Sequence, residues 1–180
     1  MGSPARRSIA AELAIAAWAV GGVVAILVDA ILRLLPLALE PILLDELSIG
    51  IVGALAYVAA ILGLGYCEGY RGFALSFSPR TVARALHVGR ASLPLVIAGP
   101  LVAMGLLHAK PRRLLTSWAL LVMIVAFVLL VRQLPAPWRG AVDAGVVVGL
   151  GWGVVSLVLG LFRAVRGEPP DIDADWPKHR

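Results

Sequence analysis

Five stretches of the chain contain no Asp, Glu, Lys or Arg over 16 to 21 residues each, and together they cover more than half of its 180 residues. They are Leu13–Val28, Leu47–Cys67, Ala91–Ala109, Leu114–Val131 and Ala144–Phe162. A bilayer core of ~30 Å is crossed by about 20 apolar helical residues. These stretches are apolar on all sides, whereas a soluble helix shows one polar face. The pattern therefore predicts an all-α, polytopic membrane helix bundle.

The third stretch differs from the others because it contains Pro94 and the pair Gly99-Pro100. Proline removes a backbone donor and bends a helix, and an adjacent glycine loosens the same turn. We therefore predict four full spans plus one Pro/Gly-broken segment that can be re-entrant, returning to the side from which it came. Five full spans are the alternative, because membrane helices tolerate proline where neighbours satisfy the freed carbonyls.

The predicted organisation is one transmembrane domain followed by a short tail. The domain covers residues 1–166, and the tail, 167–180, is predicted to be disordered because it is acidic and rich in proline. The predicted spans are about 10–35, 47–67, 91–109, 114–133 and 141–163, with a basic interfacial helix at 79–90. The single cysteine, Cys67, excludes an internal disulfide.

Composition supports the membrane assignment and narrows the partners. The chain is 60% hydrophobic with a mean hydropathy of +0.91, and 15% of its residues are charged, against ~25% in ordinary soluble domains. Its net charge of +5 comes from arginines close to the spans. We therefore expect anionic membrane lipids as partners and no nucleic acid.

The distribution of Lys and Arg predicts the orientation. With five full spans these residues divide 8 to 8 between the two sides, which conflicts with the positive-inside rule. If segment 91–109 returns to its own side, 13 lie with the N-terminus and 3 lie opposite. We therefore predict a bacterial cytoplasmic (inner) membrane protein with its N-terminus, residues 68–113 and C-terminus in the cytoplasm, and residues 40–46 outside.

Small residues recur every fourth position on two predicted spans. One row is Ala17, Gly21 and Ala25, and the other is Gly145, Gly149 and Gly153. Membrane helices associate by close backbone approach over such residues. We expect the second row to bind a membrane protein partner or a second copy of the chain.

Polar groups concentrate between residues 65 and 90. The candidate binding residues for a headgroup or polar ligand are Glu68, Arg71, Arg80, Arg84 and His87. Ser78-Pro79 is typical of a helix start, and the basic residues that follow share one face, as in helices that meet anionic headgroups. The alternatives are simple positive-inside anchoring for that helix and a structural lock for Glu68 and Arg71 at the mouth of the second span.

Two further charge pairs have the i,i+4 spacing of intrahelical ion pairs. They are Asp29 with Arg33, which continue the first small-residue row, and Arg139 with Asp143. We predict structural ion pairs near the outer surface. A role for Asp29 and Arg33 in a substrate path is the alternative, because charges at bilayer depth often mark one.

The sequence contains no cofactor motif. Cys67, Glu68, His87 and His108 lack the close spacing of zinc ligands, and no phosphate-binding or dinucleotide-binding glycine motif is present. We predict no metal and no cofactor. The expected function is that of a non-enzymatic lipid-interacting or accessory subunit of a membrane complex, able to handle an apolar solute. The alternative is an enzyme acting on a lipid or isoprenoid headgroup at the cytoplasmic face, with Glu68 as acid or base.

Overall fold

A computed structural model describes residues 7–43 and 50–177. In chain order its helices are α1 (Ile9–Leu43), α2 (Gly50–Leu64), a π-helical segment (Gly65–Phe77), α3 (Ser78–Val88), α4 (Leu93–Ile97), α5 (Gly99–Ala103), α6 (Pro111–Val131) and α7 (Ala136–Val165). Every regular element among these residues is helical. Four helices are long and apolar enough to cross a membrane, so the prediction of an all-α bundle is confirmed. Residues 44–49, which include part of the predicted outer loop and the start of the predicted second span, lie outside the described residues.

The second helix is much longer than predicted. It runs without a break from Gly50 to Val88, because the π-helical segment joins α2 directly to α3. The amide of Ser78 donates to the carbonyl of Phe73, five residues earlier. This wider turn gives room for the ring of Pro79, which would clash with a carbonyl in a regular α-helix. Ser78-Pro79 therefore lies inside a helix, where the sequence predicts a helix start.

Helices α1, α2–α3 and α7 pack side by side, and α1 runs in the opposite direction to the other two. Tyr57 of α2 donates to the Ala38 carbonyl near the end of α1 (3.1 Å), and Arg90 after α3 pairs with Glu12 near the start of α1 (2.9 Å). The α2–α3 helix is therefore antiparallel to α1. Helix α7 runs parallel to α2–α3, since its Gly145 lies against Ala60. Its Gly160 lies against Val82, closer to the opposite end of the bundle.

The hydrophobic core lies where α1, α3 and α7 meet. It is built mainly from small and β-branched side chains such as Ala16, Val20, Val23 and Val82, together with Leu157, each with an exposed fraction of 1% or less. Small side chains let the helix backbones approach closely, which is how helices associate in lipid. Helix α3 is therefore an internal part of the bundle, although the sequence predicts that it lies on the membrane surface.

The Pro/Gly-rich third stretch forms two short helices, α4 and α5, interrupted at Ala98. At its start, Arg7 donates to the carbonyl of Ala91 (2.9 Å), and at its deepest point Pro100 packs against Gly22 of α1. The chain then reverses at Gly105, whose φ of +78° favours glycine. The segment therefore begins and ends at the end of the bundle that holds the start of α1.

Helix α6 stands apart from this bundle. Among the described residues it makes no extensive contact with another helix. It is attached near its start, where Trp118 donates to the carbonyl of Leu106 (3.2 Å) and the Ser117 hydroxyl contacts the carbonyl of Met104 (3.4 Å). Most of its remaining side chains are exposed apolar groups.

Candidate functional site

The polar groups of the described chain gather around Arg84, whose exposed fraction is 1%. Its guanidinium donates to backbone carbonyls of two segments that are distant in sequence. The acceptors are Val102 (2.7 Å), Leu107 (3.2 Å), His108 (3.1 Å), Ala174 (2.9 Å) and Asp175 (3.5 Å). The five donors of an arginine form a planar fork suited to such a set of acceptors. From the sequence, Arg84 is a candidate binding residue for a headgroup. In the structure, its side chain instead joins α3, the turn after α5 and the C-terminal tail.

The tail is predicted to be disordered, and residues 168–177 form no helix or strand. They nevertheless make specific contacts. The ring of Trp176 lies 5.5 Å from that of His87 and 4.9 Å from that of His108, with the Arg84 guanidinium 6.0 Å away. Such aromatic and cation–π contacts each contribute about 0.5–1.5 kcal/mol. The tail thus has a defined docking position on this end of the bundle.

Lys110 adds a second attachment for the tail. Its backbone amide donates to the carbonyl of Asp175 (3.0 Å), and its side chain pairs with the carboxylates of Asp173 and Asp175. The hydrogen bond that Lys110 donates to Asp173 raises the pKa of Lys110. Desolvation opposes this effect, and the charges of Asp173 and Asp175 add to it. The ammonium form therefore favours the docked tail.

Glu68 lies in the π-helical segment, about midway along the 39-residue helix rather than at the mouth of a span. It is half-buried, and its carboxylate lies against Gly149 of α7. It makes no hydrogen bond or ion pair with any described residue, and Arg71 is exposed without an ion pair to it. Glu68 and Arg71 therefore form no ion pair with each other in the structure.

The other two candidates have local partners. Arg80 donates to the hydroxyl of Ser76 (2.6 Å), and Nδ1 of His87 hydrogen-bonds to the carbonyl of Ala83 (2.9 Å). Glu68 lies ten residues or more before both of them on the same helix. The five candidate binding residues therefore do not converge on one ligand.

Both intrahelical ion pairs are present. Asp29 and Arg33 approach to 2.8 Å with their side chains largely exposed, and Arg139 and Asp143 approach to 3.5 Å. Asp143 is almost fully buried, and its Oδ2 has no hydrogen-bond partner among the described residues. The first pair lies within α1, 10 to 14 residues before its last residue.

The two small-residue rows have different environments. Gly145, Gly149 and Gly153 of α7 pack inside the fold against α2 and the π-helical segment. The row expected to bind a partner is therefore occupied by the chain's own helices. In contrast, Gly21 of α1 has open space where a side chain would lie.

A groove on the side of α7 is lined by residues that are not among the candidate binding residues predicted from the sequence. It has a volume of about 430 Å³ and lies between α3, α7 and the start of the tail, and its polar lining is Ser78, Ser156, Arg163 and Glu168. Only Gly167, a typical residue after a helix end, signals in the sequence that the chain turns back here. Among the described residues, no group of three or more His, Cys, Asp or Glu side chains is placed to hold a metal ion.

Comparison with known proteins adds no family to this picture. No protein-family model matches the chain, and no curated protein and no solved structure matches it either. The function must therefore be inferred from the fold and the site. The fold is that of an integral, multi-pass membrane protein.

Proposed function

We propose that this protein is a non-enzymatic accessory subunit of a membrane complex, which works by packing against another membrane protein and contacting lipid. The observation that carries this proposal is the position of α6. It is 21 residues long, its most apolar window has a mean hydropathy of 2.8, and it lacks extensive contact with the rest of the described bundle. A membrane helix gains most of its association energy from close packing with other helices. Helix α6 leaves that packing open to a partner.

The positions of the polar groups disfavour the enzyme alternative. Arg84 is fully engaged by backbone carbonyls, and Glu68 faces α7 rather than the arginines. Phosphate binding next to a general acid or base needs these groups to point to one place. The arrangement therefore offers packing surfaces and not a set of convergent catalytic residues.

The orientation is also a proposal. The start of α1, both ends of segment 91–109 and the C-terminal tail lie at one end of the bundle. The sequence assigns 13 of the 16 basic residues to this side and 3 to the other, although one of the 13, Arg71, lies near the middle of the α2–α3 helix. The positive-inside rule then supports a cytoplasmic position for this end in a bacterial inner membrane.

A photoreactive residue on α6 tests the subunit role. We expect Met123, replaced by a photo-crosslinking residue in cells, to yield a discrete adduct with one membrane protein that co-extracts in constant ratio. The control is the same replacement at Val155, an equally exposed apolar position on α7. Adducts with lipid alone from Met123, together with extraction of the chain free of partners, would contradict the proposal.

One observation favours a second candidate function, the movement of protons or cations. An ionisable residue inside a membrane span marks a functional site more often than not, and π-helical turns are frequent at such sites. Glu68 meets both conditions, because it lies mid-helix in the π-helical segment without a partner. If ions move through this protein, flux into liposomes containing the purified chain is lost on Glu68→Gln and kept on Glu12→Gln. Absence of flux with the unmodified protein eliminates this candidate.

A further inference from the structure

The groove beside α7 combines apolar walls with a charged rim. Its apolar lining includes Val82, Leu159 and Gly160, which belong to spanning helices, whereas Arg163 and Glu168 lie at and beyond the end of α7. Its volume of about 430 Å³ falls in the range of small-molecule sites. The groove thus joins apolar side chains of the bundle to charged side chains at the end of α7.

The rim brings two opposite charges together. Helix α7 ends in a turn in which the amide of Gly167 donates to the carbonyl of Ala164 (3.1 Å) and the amide of Glu168 donates to that of Arg163 (3.0 Å). Gly167 has a φ of +91°, as this type of helix end requires. The turn fixes Glu168 beside the last turn of α7. The two side chains nevertheless form no ion pair with each other or with another described residue.

Two serines line the groove. Ser78 lines the groove with an exposed fraction of 2%, and its Oγ has no hydrogen-bond partner among the described residues. The Oγ atom itself is enclosed, so it lies behind the groove wall and does not face a ligand in the groove. Ser156 offers a hydroxyl on the facing wall.

We infer that this groove binds a lipid with a phosphoethanolamine headgroup. Arg163 and the Ser156 hydroxyl match the phosphate, because arginine and hydroxyl donors form charge-assisted hydrogen bonds with phosphate oxygens. Glu168 matches the ammonium, and the apolar wall along Val82 and Leu159 matches an acyl chain. The inference rests on the lipid-contacting part of the proposed function. It is independent of the partner protein, which is not needed for this binding.

Lipid titration of the purified, detergent-solubilised chain tests the inference, with native mass spectrometry as the readout. We expect dioleoyl phosphatidylethanolamine to bind more tightly than phosphatidylglycerol with the same chains. Arg163→Gln should weaken binding of both lipids about tenfold, and Ser156→Ala should weaken it about fivefold. Glu168→Gln should weaken binding of phosphatidylethanolamine alone, about fivefold, because phosphatidylglycerol has no ammonium group.

Arg166→Gln is the matched control. Arg166 lies three residues after Arg163 and outside the groove, with its guanidinium 4.1 Å from the ring centre of Phe162. The Arg166→Gln substitution removes the same charge as Arg163→Gln and should leave phosphatidylethanolamine binding unchanged. Equal losses in Arg163→Gln and Arg166→Gln, or no preference between the two lipids, would overturn the inference. Soluble phosphoethanolamine that competes as strongly as the lipid would overturn the assignment to a lipid.

Discussion

At the scale of single residues, Arg84 has the largest structural role among the charged side chains of the described chain. Its guanidinium joins α3, the turn after α5 and the C-terminal tail at this end of the bundle. Replacement by methionine keeps an unbranched apolar stem but removes every donor and leaves buried carbonyls without partners. We expect Arg84→Met to lower the free energy of unfolding by about 3–5 kcal/mol, because several buried carbonyls lose their hydrogen-bond donor at once.

Thermal unfolding in detergent measures this effect. Arg80→Met is the matched control, since Arg80 lies one turn earlier and bonds only within its own helix. We expect a loss of about 1 kcal/mol or less there. Comparable losses in the two variants would show that Arg84 acts as an ordinary surface charge.

At the scale of helices, two glycines distinguish a helix face that packs against a neighbouring helix from a face that has no neighbour. A methyl group on Gly145 would meet the backbone of Ala60 within 3 Å, whereas one on Gly21 would meet no atom within 4 Å. Gly145→Ala should therefore destabilise the bundle by about 1–3 kcal/mol through overpacking. Gly21→Ala should be neutral or stabilising by up to about 1 kcal/mol, because alanine favours helix. Thermal unfolding of the two variants measures the difference, and equal stabilities would contradict the packing of α7 on α2.

The helices also show how much of this fold can be predicted from the sequence. Charge-free runs locate the helices, and Pro94 with Gly99-Pro100 locates the break, because both signals are local. The sequence does not predict the continuation of α2 into α3, because Ser78-Pro79 has the local chemistry of a helix start. The π-helical turn that accommodates Pro79 depends on packing with α7.

The candidate site is less predictable for the same reason. Residue type alone identifies Arg84 as a charge near the membrane, but its acceptors come from residues 18 to 91 positions away. Likewise, nothing near Ser156 in the sequence indicates that it lines one groove with Arg163. Sites of this kind form from tertiary contacts that no short pattern contains.

At the scale of the whole molecule, the central claim is that four helices span the membrane and segment 91–109 returns to its own side. The broken α4–α5 segment reaches Gly22 of α1 and then reverses at Gly105. A full span would instead carry residue 112 to the far side from residue 90. The positions of these two residues therefore distinguish four spans from five.

Labelling of single cysteines with a membrane-impermeant maleimide is the most direct test. In a Cys67→Ser background, Arg90→Cys, Arg112→Cys and Gln133→Cys are compared in intact and permeabilised cells. We predict that Gln133→Cys reacts in intact cells, and that Arg90→Cys and Arg112→Cys both react only after permeabilisation. Reaction of Arg90→Cys and Arg112→Cys from opposite sides of the membrane would contradict the four-span fold.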